Sequence, residues 1–122
     1  MRMWMVPPQM MCRQHLLGEH LEIHMFCGSI KRKKMLSQFA KNNLFEPSAL
    51  LDRHDALVLE MSHRHYQHKS PLVVPDYSYL PDFVKYSVVS LSKSYEELIK
   101  RCSTCRANAL AMGYPSFKEM SL

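Results

Sequence analysis

Residues 13–24, RQHLLGEHLEIH, bring together His15, Glu19, His20, Glu22 and His24 in a stretch free of proline. At about 100° per residue of helix, Glu22 falls seven positions after His15 and nearly eclipses it. Gly18 lies between them on the same side, and His20 and His24 point the opposite way. One face thus offers an imidazole and a carboxylate over a glycine notch, where a bulky ligand backbone can approach closely. On the other face, His20 and His24 have the i, i+4 spacing of a helical metal pair. Glu22, however, stands two places after His20 rather than directly after it as H-E-x-x-H requires, and a third ligand is wanting. The expectation is a pair of exposed polar histidines and no metal.

Cys102-Ser-Thr-Cys105 has the C-x-x-C spacing that serves zinc or disulfide exchange. Zinc would want a second ligand pair nearby, and Cys12 and Cys27 are too far apart in sequence to be one clip. Thioredoxin-like chemistry expects a βαβ setting that this sequence lacks. Packed thiols are therefore expected, with a zinc protein built on Cys102, Cys105 and a nearby histidine as a further alternative. Residues 62–69, SHRHYQHK, mix cations with an aromatic ring. Together with Arg2 and the run Lys31, Arg32, Lys33, Lys34 they could line a phosphate backbone, or simply be a solvated helix end whose cations favour the C-terminal dipole.

The chain that must position these groups has 122 residues, 47% hydrophobic and 22% charged. One compact domain over residues 1–122 is expected, which excludes large modular enzymes. Sixteen Lys and Arg against eleven Asp and Glu give a net charge of +5, compatible with a polyanionic partner. Three glycines leave no Gly-rich phosphate loop, so no nucleotide cofactor is expected. No apolar stretch reaches spanning length, and Pro7 and Pro8 interrupt the start before a signal-like region develops. Four irregularly spaced cysteines do not make a disulfide scaffold. These features point to a cytoplasmic setting, in a bacterium or a virus-infected host cell, with no membrane partner.

Residues 1–6 should be extended, because the residue before Pro7 is pushed away from helix. A long first helix is expected from about Pro8, stopped by Gly28. The basic loop at 31–34 then leads into a short helical turn. A second helix opens at Glu46-Pro47-Ser48 with Ser48 as cap, buries Leu50, Leu51, Leu57, Val58 and Met61, and ends near Tyr66. Three prolines in residues 70–82 predict a loop that wraps the helices. A third helix follows over roughly 81–108, with Val84, Val88, Leu91, Tyr95, Leu98 and Cys102 at three- and four-residue spacing. The predicted fold is all-α, a single domain of about three helices with long connecting loops.

The N-terminal MRMW, the helix segment RQHLLGEHLE at 13–22, and the later Arg53, Glu60-Met61 and Arg64-His65-Tyr66-Gln67-His68-Lys69 resemble the pyrimidine-dimer DNA glycosylase family of endonuclease V-like AP lyases. The resemblance covers roughly residues 1–72. It implies a compact all-α enzyme that acts on damaged double-stranded DNA as a monomer without cofactor. Such an enzyme releases a base through an imine on its N-terminal amine and then cleaves the strand by β-elimination. Carried over, the nucleophile falls on Met1 and the catalytic glutamate on Glu22. Arg2 and His15 fall beside them, and the charge of Lys31, Arg32, Lys33, Lys34, Arg64, His68 and Lys69 is expected to line the DNA around that site. An α-amino group titrates near 7.7 to 8.0, so about one in seven is unprotonated at pH 7, against about one in 2,500 for an ordinary lysine. Leu21 and Met25 stand where the family carries arginines, which motivates an alternative: a non-catalytic DNA-binding or interaction module on the same scaffold.

Overall fold

A computed structural model of the chain describes residues 1–68 and 70–115. Among these there are six α-helices and no strand, so the fold is all-α. Residues 1–6 form no helix and pack into the core, and Met5 breaks their extended course in the left-handed region (φ 62°). Met3, Trp4 and Val6 are buried, and the Met3 amide donates to the Leu44 carbonyl at 2.8 Å. After a 3-10 turn at Pro8–Met10, helix α1 spans Arg13–Lys31. Gly28 does not stop it. Ile30 continues the buried stripe of Leu16, Ile23, Phe26 and Cys27, and the apolar burial it gains outweighs the modest penalty of an internal glycine. The chain turns only at Lys33, in the left-handed region.

After α2 (Ser37–Lys41) and a 3-10 turn at Pro47–Ala49, α3 (Leu50–His63) packs along α1. Ser48 lies within that turn and makes no capping bond. Leu50, Leu57 and Met61 are buried as the spacing predicts, but Leu51 is exposed, and Arg53 and His54 face inward instead. The Arg53 guanidinium holds the Glu19 carboxylate through two bonds of 2.7 and 2.8 Å and donates a third, of 2.6 Å, to the Val6 carbonyl. One buried fork thus joins α1, α3 and the N-terminal segment. Its net worth to stability is small, but breaking it would strand a buried charge.

The proline-rich segment after residue 70 forms no helix or strand before Asp82, and its Leu72, Val74, Tyr77 and Tyr79 pack against the core. The single third helix expected over 81–108 is three helices: α4 (Asp82–Lys85), α5 (Leu91–Arg101) and α6 (Ser103–Ala111). Tertiary hydrogen bonds override the apolar periodicity at the first break. The Ser87 hydroxyl donates to the Phe45 carbonyl, and the Val89 amide donates to Glu46 Oε1 at 2.8 Å. At the second break, Cys102 is extended and its sulfur accepts the Cys105 amide, so it caps α6 instead of continuing α5.

Candidate active site

The extended N-terminus and one face of α1 enclose an open cavity of about 550 Å³, lined by Met1, Arg2, Trp4, His15, Gly18, Glu22 and Arg101 among others. The helical phase read from the sequence is kept: His15, Gly18 and Glu22 share this wall. A Cβ on Gly18 would meet nothing within 4 Å, so the notch opens onto free space. Glu22 accepts the Arg2 main-chain amide at 3.1 Å, which brings its carboxylate within one residue of the Met1 amine. Since the Arg53 fork grips Val6 only a few residues along, the first residues are tied to α1 at both ends of the segment.

Two guanidinium groups frame the cavity. Arg2 lies 3.5 Å over the centre of the Trp4 ring and Arg101 lies 5.4 Å from it. Arg2 also donates to Ser94 Oγ at 3.3 Å. Burial and then the positive charge of Arg101 hold the Arg2 pKa below its ordinary value, although a guanidinium stays charged under any physiological condition. The His15 imidazole is also pushed down, first by burial and then by Arg101, with Glu22 opposing. A cleft with an amine, a carboxylate and two cations suits a substrate that brings negative charge and an electrophilic carbon.

A family model described as pyrimidine dimer DNA glycosylase matches residues 1–73, which include every cavity residue just named except Arg101. The chain belongs to the pyrimidine dimer DNA glycosylase family. Neither a curated protein nor a solved structure matches it. Membership in a DNA glycosylase family implies a DNA substrate and places the chain among DNA-repair glycosylases.

In this glycosylase the other basic residues singled out in the sequence lie away from the cavity. Lys31, Arg32, Lys33 and Lys34 are exposed at the far end of α1, where Lys33 sits 4.9 Å from the Tyr79 ring. Arg64 is engaged by Glu60 at 2.7 Å and by the Pro8 carbonyl at 3.2 Å. His68 packs against His20 and His54. Lys69 lies outside the described residues. The cations that do border the cavity are Arg2, expected, and Arg101, missed. In the sequence Arg101 is one of several charges on an amphipathic helix, and nothing distinguishes it until α5 folds back.

Two further clusters flank α1. His20 and His24, expected exposed, are half-buried with His54 and His68, their ring centres 4.8 to 5.1 Å apart. Burial and the three neighbouring imidazoles push His20 down to about 4. On the cavity side, His15 Nδ1 lies 3.1 Å from Cys12 Sγ and 3.7 Å from Cys105 Sγ. That nitrogen is committed to the thiols, which leaves Nε2 as the ring atom free to meet a ligand.

Proposed function

We propose that the chain is a DNA-repair glycosylase with AP-lyase activity that acts as a monomer on double-stranded DNA carrying a damaged pyrimidine, with Met1 as nucleophile and Glu22 as acid–base group. The observation that carries this is the Glu22 carboxylate anchored on the Arg2 amide, beside Met1, at the glycine-notched wall of the cavity. The unprotonated Met1 amine attacks C1′ of the deoxyribose. As the new N–C1′ bond forms, the bond from C1′ to the base breaks with its electron pair on the base, which leaves after taking up a proton. Loss of a proton from nitrogen and opening of the sugar ring give the imine. Removal of a C2′ proton then drives electrons toward C3′, and the 3′ phosphate departs as the C3′–O bond breaks.

Glu22 has two tasks along this path. Its negative charge offsets the cation that develops at C1′ and on the imine, and it accepts and relays the C2′ proton. Arg2 and Arg101 meet the phosphates on either side, and His15 is left to contact the sugar or phosphate through Nε2. Drawing a damaged nucleotide out of the stack costs a few kcal/mol, less than for a sound pair, which favours lesions without a large recognition surface. Borohydride reduction of a mixture of untagged protein and abasic or dimer-containing duplex tests the nucleophile. A covalent adduct mapping to Met1, lost when the α-amine is acetylated, is expected. An adduct that survives that block would remove Met1 from the mechanism. Salt-sensitive binding with no adduct would favour the non-catalytic module.

A further inference from the structure

Cys102 and Cys105 have a partner pair after all, and it is Cys12-x-x-His15. We propose that Cys12, His15, Cys102 and Cys105 form a closed tetrahedral site for a zinc-class divalent ion that pins α6 to the start of α1. Their four ligand atoms all lie within 4.8 Å of one another. Zn–S bonds of about 2.3 Å and Zn–N bonds of about 2.0 Å at tetrahedral angles require S···S of about 3.8 Å and S···N of about 3.5 Å. Cys12 and Cys102 sulfurs are 3.9 Å apart, and Cys105 Sγ is 3.7 Å from His15 Nδ1. A third distance, 3.1 Å from Cys12 Sγ to His15 Nδ1, needs to open by only about 0.4 Å to reach the same geometry. Nonbonded sulfurs at this spacing are far from the 2.05 Å or so of a disulfide.

Main-chain donors face all three sulfurs. Cys12 Sγ accepts the His15 amide at 3.4 Å, Cys102 Sγ accepts the Cys105 amide at 3.4 Å, and Cys105 Sγ accepts the Cys12 amide at 3.2 Å. Each sulfur therefore has a main-chain donor in place before any ion arrives, the outer-shell support that orients metal ligands. Cys12 and Cys102 also cap α1 and α6, where the positive ends of the helix dipoles favour negative charge. Binding releases the three thiol protons to solvent, and the ion takes a lone pair from each sulfur and from neutral Nδ1.

A different observation carries a second site. The Nε2 atoms of His20, His24, His54 and His68 are all buried, and none has a hydrogen-bond partner. One ring nitrogen from each of the four also lies within 4.8 Å of the others. Buried polar atoms are rarely left unmatched in this way, and four neutral imidazole nitrogens converging on one point have a common solution in a first-row divalent ion. His54 Nδ1 lies 3.0 Å from Asp55 Oδ1, the carboxylate–histidine arrangement that fixes a ligand's tautomer with its other nitrogen toward the metal. We infer an all-histidine site for the same class of ion, clamping α1, α3 and the segment that follows α3.

Metal content and Co²⁺ spectra of the untagged, reduced full chain test both. Two zinc ions per chain are expected. Co²⁺ replacing them should give a thiolate-to-metal charge-transfer band in the near ultraviolet from the cysteine site and none from the histidine site. Cys102→Ser with Cys105→Ser should keep one ion and lose the band. His24→Gln with His68→Gln should keep one ion and retain it. Should either variant fail to fold, the unaltered chain decides alone: two equivalents of Co²⁺ with the band support both sites. No band overturns the cysteine site, one equivalent with the band overturns the histidine site, and no uptake overturns both.

Discussion

The two sides of α1 carry nearly the same side chains and have opposite fates. Toward the N-terminal segment, His15, Gly18 and Glu22 border open space. Toward α3, His20 and His24 are closed in by His54 and His68. An imidazole or carboxylate has no fixed role in a helix; what stands opposite decides it. On the first side the opposing element is thin, the N-terminal segment, which contributes main-chain groups and its own end. On the second it is another helix, whose side chains reach inward. The difference separates a face available to a large substrate from one that can enclose only an atom or an ion.

Substitutions that act on one side alone test that separation. Glu22→Gln removes the charge and the base while keeping the shape, so strand cleavage should fall by about 10² to 10⁴ with DNA binding largely kept. Single-turnover kinetics measure it, and an unchanged rate would take Glu22 out of the chemistry. Arg53→Met strands the buried Glu19 carboxylate between the two sides and should cost about 3–5 kcal/mol in urea denaturation. A loss under 1 kcal/mol or so would mean that water reaches the pair and the two sides are not rigidly joined. Saturating zinc at about 1,000 times its Kd should stabilise the chelator-treated chain by about 4 kcal/mol per site. The gain should halve in the His24→Gln/His68→Gln variant and be followed by the shift in thermal midpoint.

Smaller effects are expected at the cavity rim. Arg101→Ala should weaken binding to all DNA sequences alike and reduce the slope of log affinity against log salt by about 1. Lys33→Ala, distant from the cavity, serves as its comparison, and equal losses would show that DNA runs along the basic turn as well. Gly18→Ala meets no neighbouring atom and should stabilise the helix by about 0.5–1 kcal/mol while slowing turnover, because the added methyl narrows the notch. Raised stability with undiminished turnover would show that the substrate backbone does not approach there.

Much of the fold and the cavity was legible in the chain itself. The 3.6-residue period separates His15, Gly18 and Glu22 from His20 and His24 whatever the rest of the protein does, and the prolines after residue 70 exclude a regular element there. The single helix expected over 81–108 is three in the fold, because Val84 to Cys102 keeps helical spacing across two breaks. Those breaks are set by Glu46, Phe45 and the Cys102 cap, and no local propensity reports a hydrogen bond to a residue 43 positions away. Ser48 was misassigned as a cap because the Pro47 turn precedes the helix proper.

By itself the sequence determined the helical class and the faces of α1, and its motifs carried the family match. The helical faces follow from local geometry, because they depend on residues a few positions apart. Only the tertiary structure decided that Arg101 joins the cavity, that Cys12 and His15 meet Cys102 and Cys105, and that His54 and His68 complete the pair on α1. Residues 30 to 97 positions apart become neighbours there, and the closure of such long loops is dictated by the packing of the whole core.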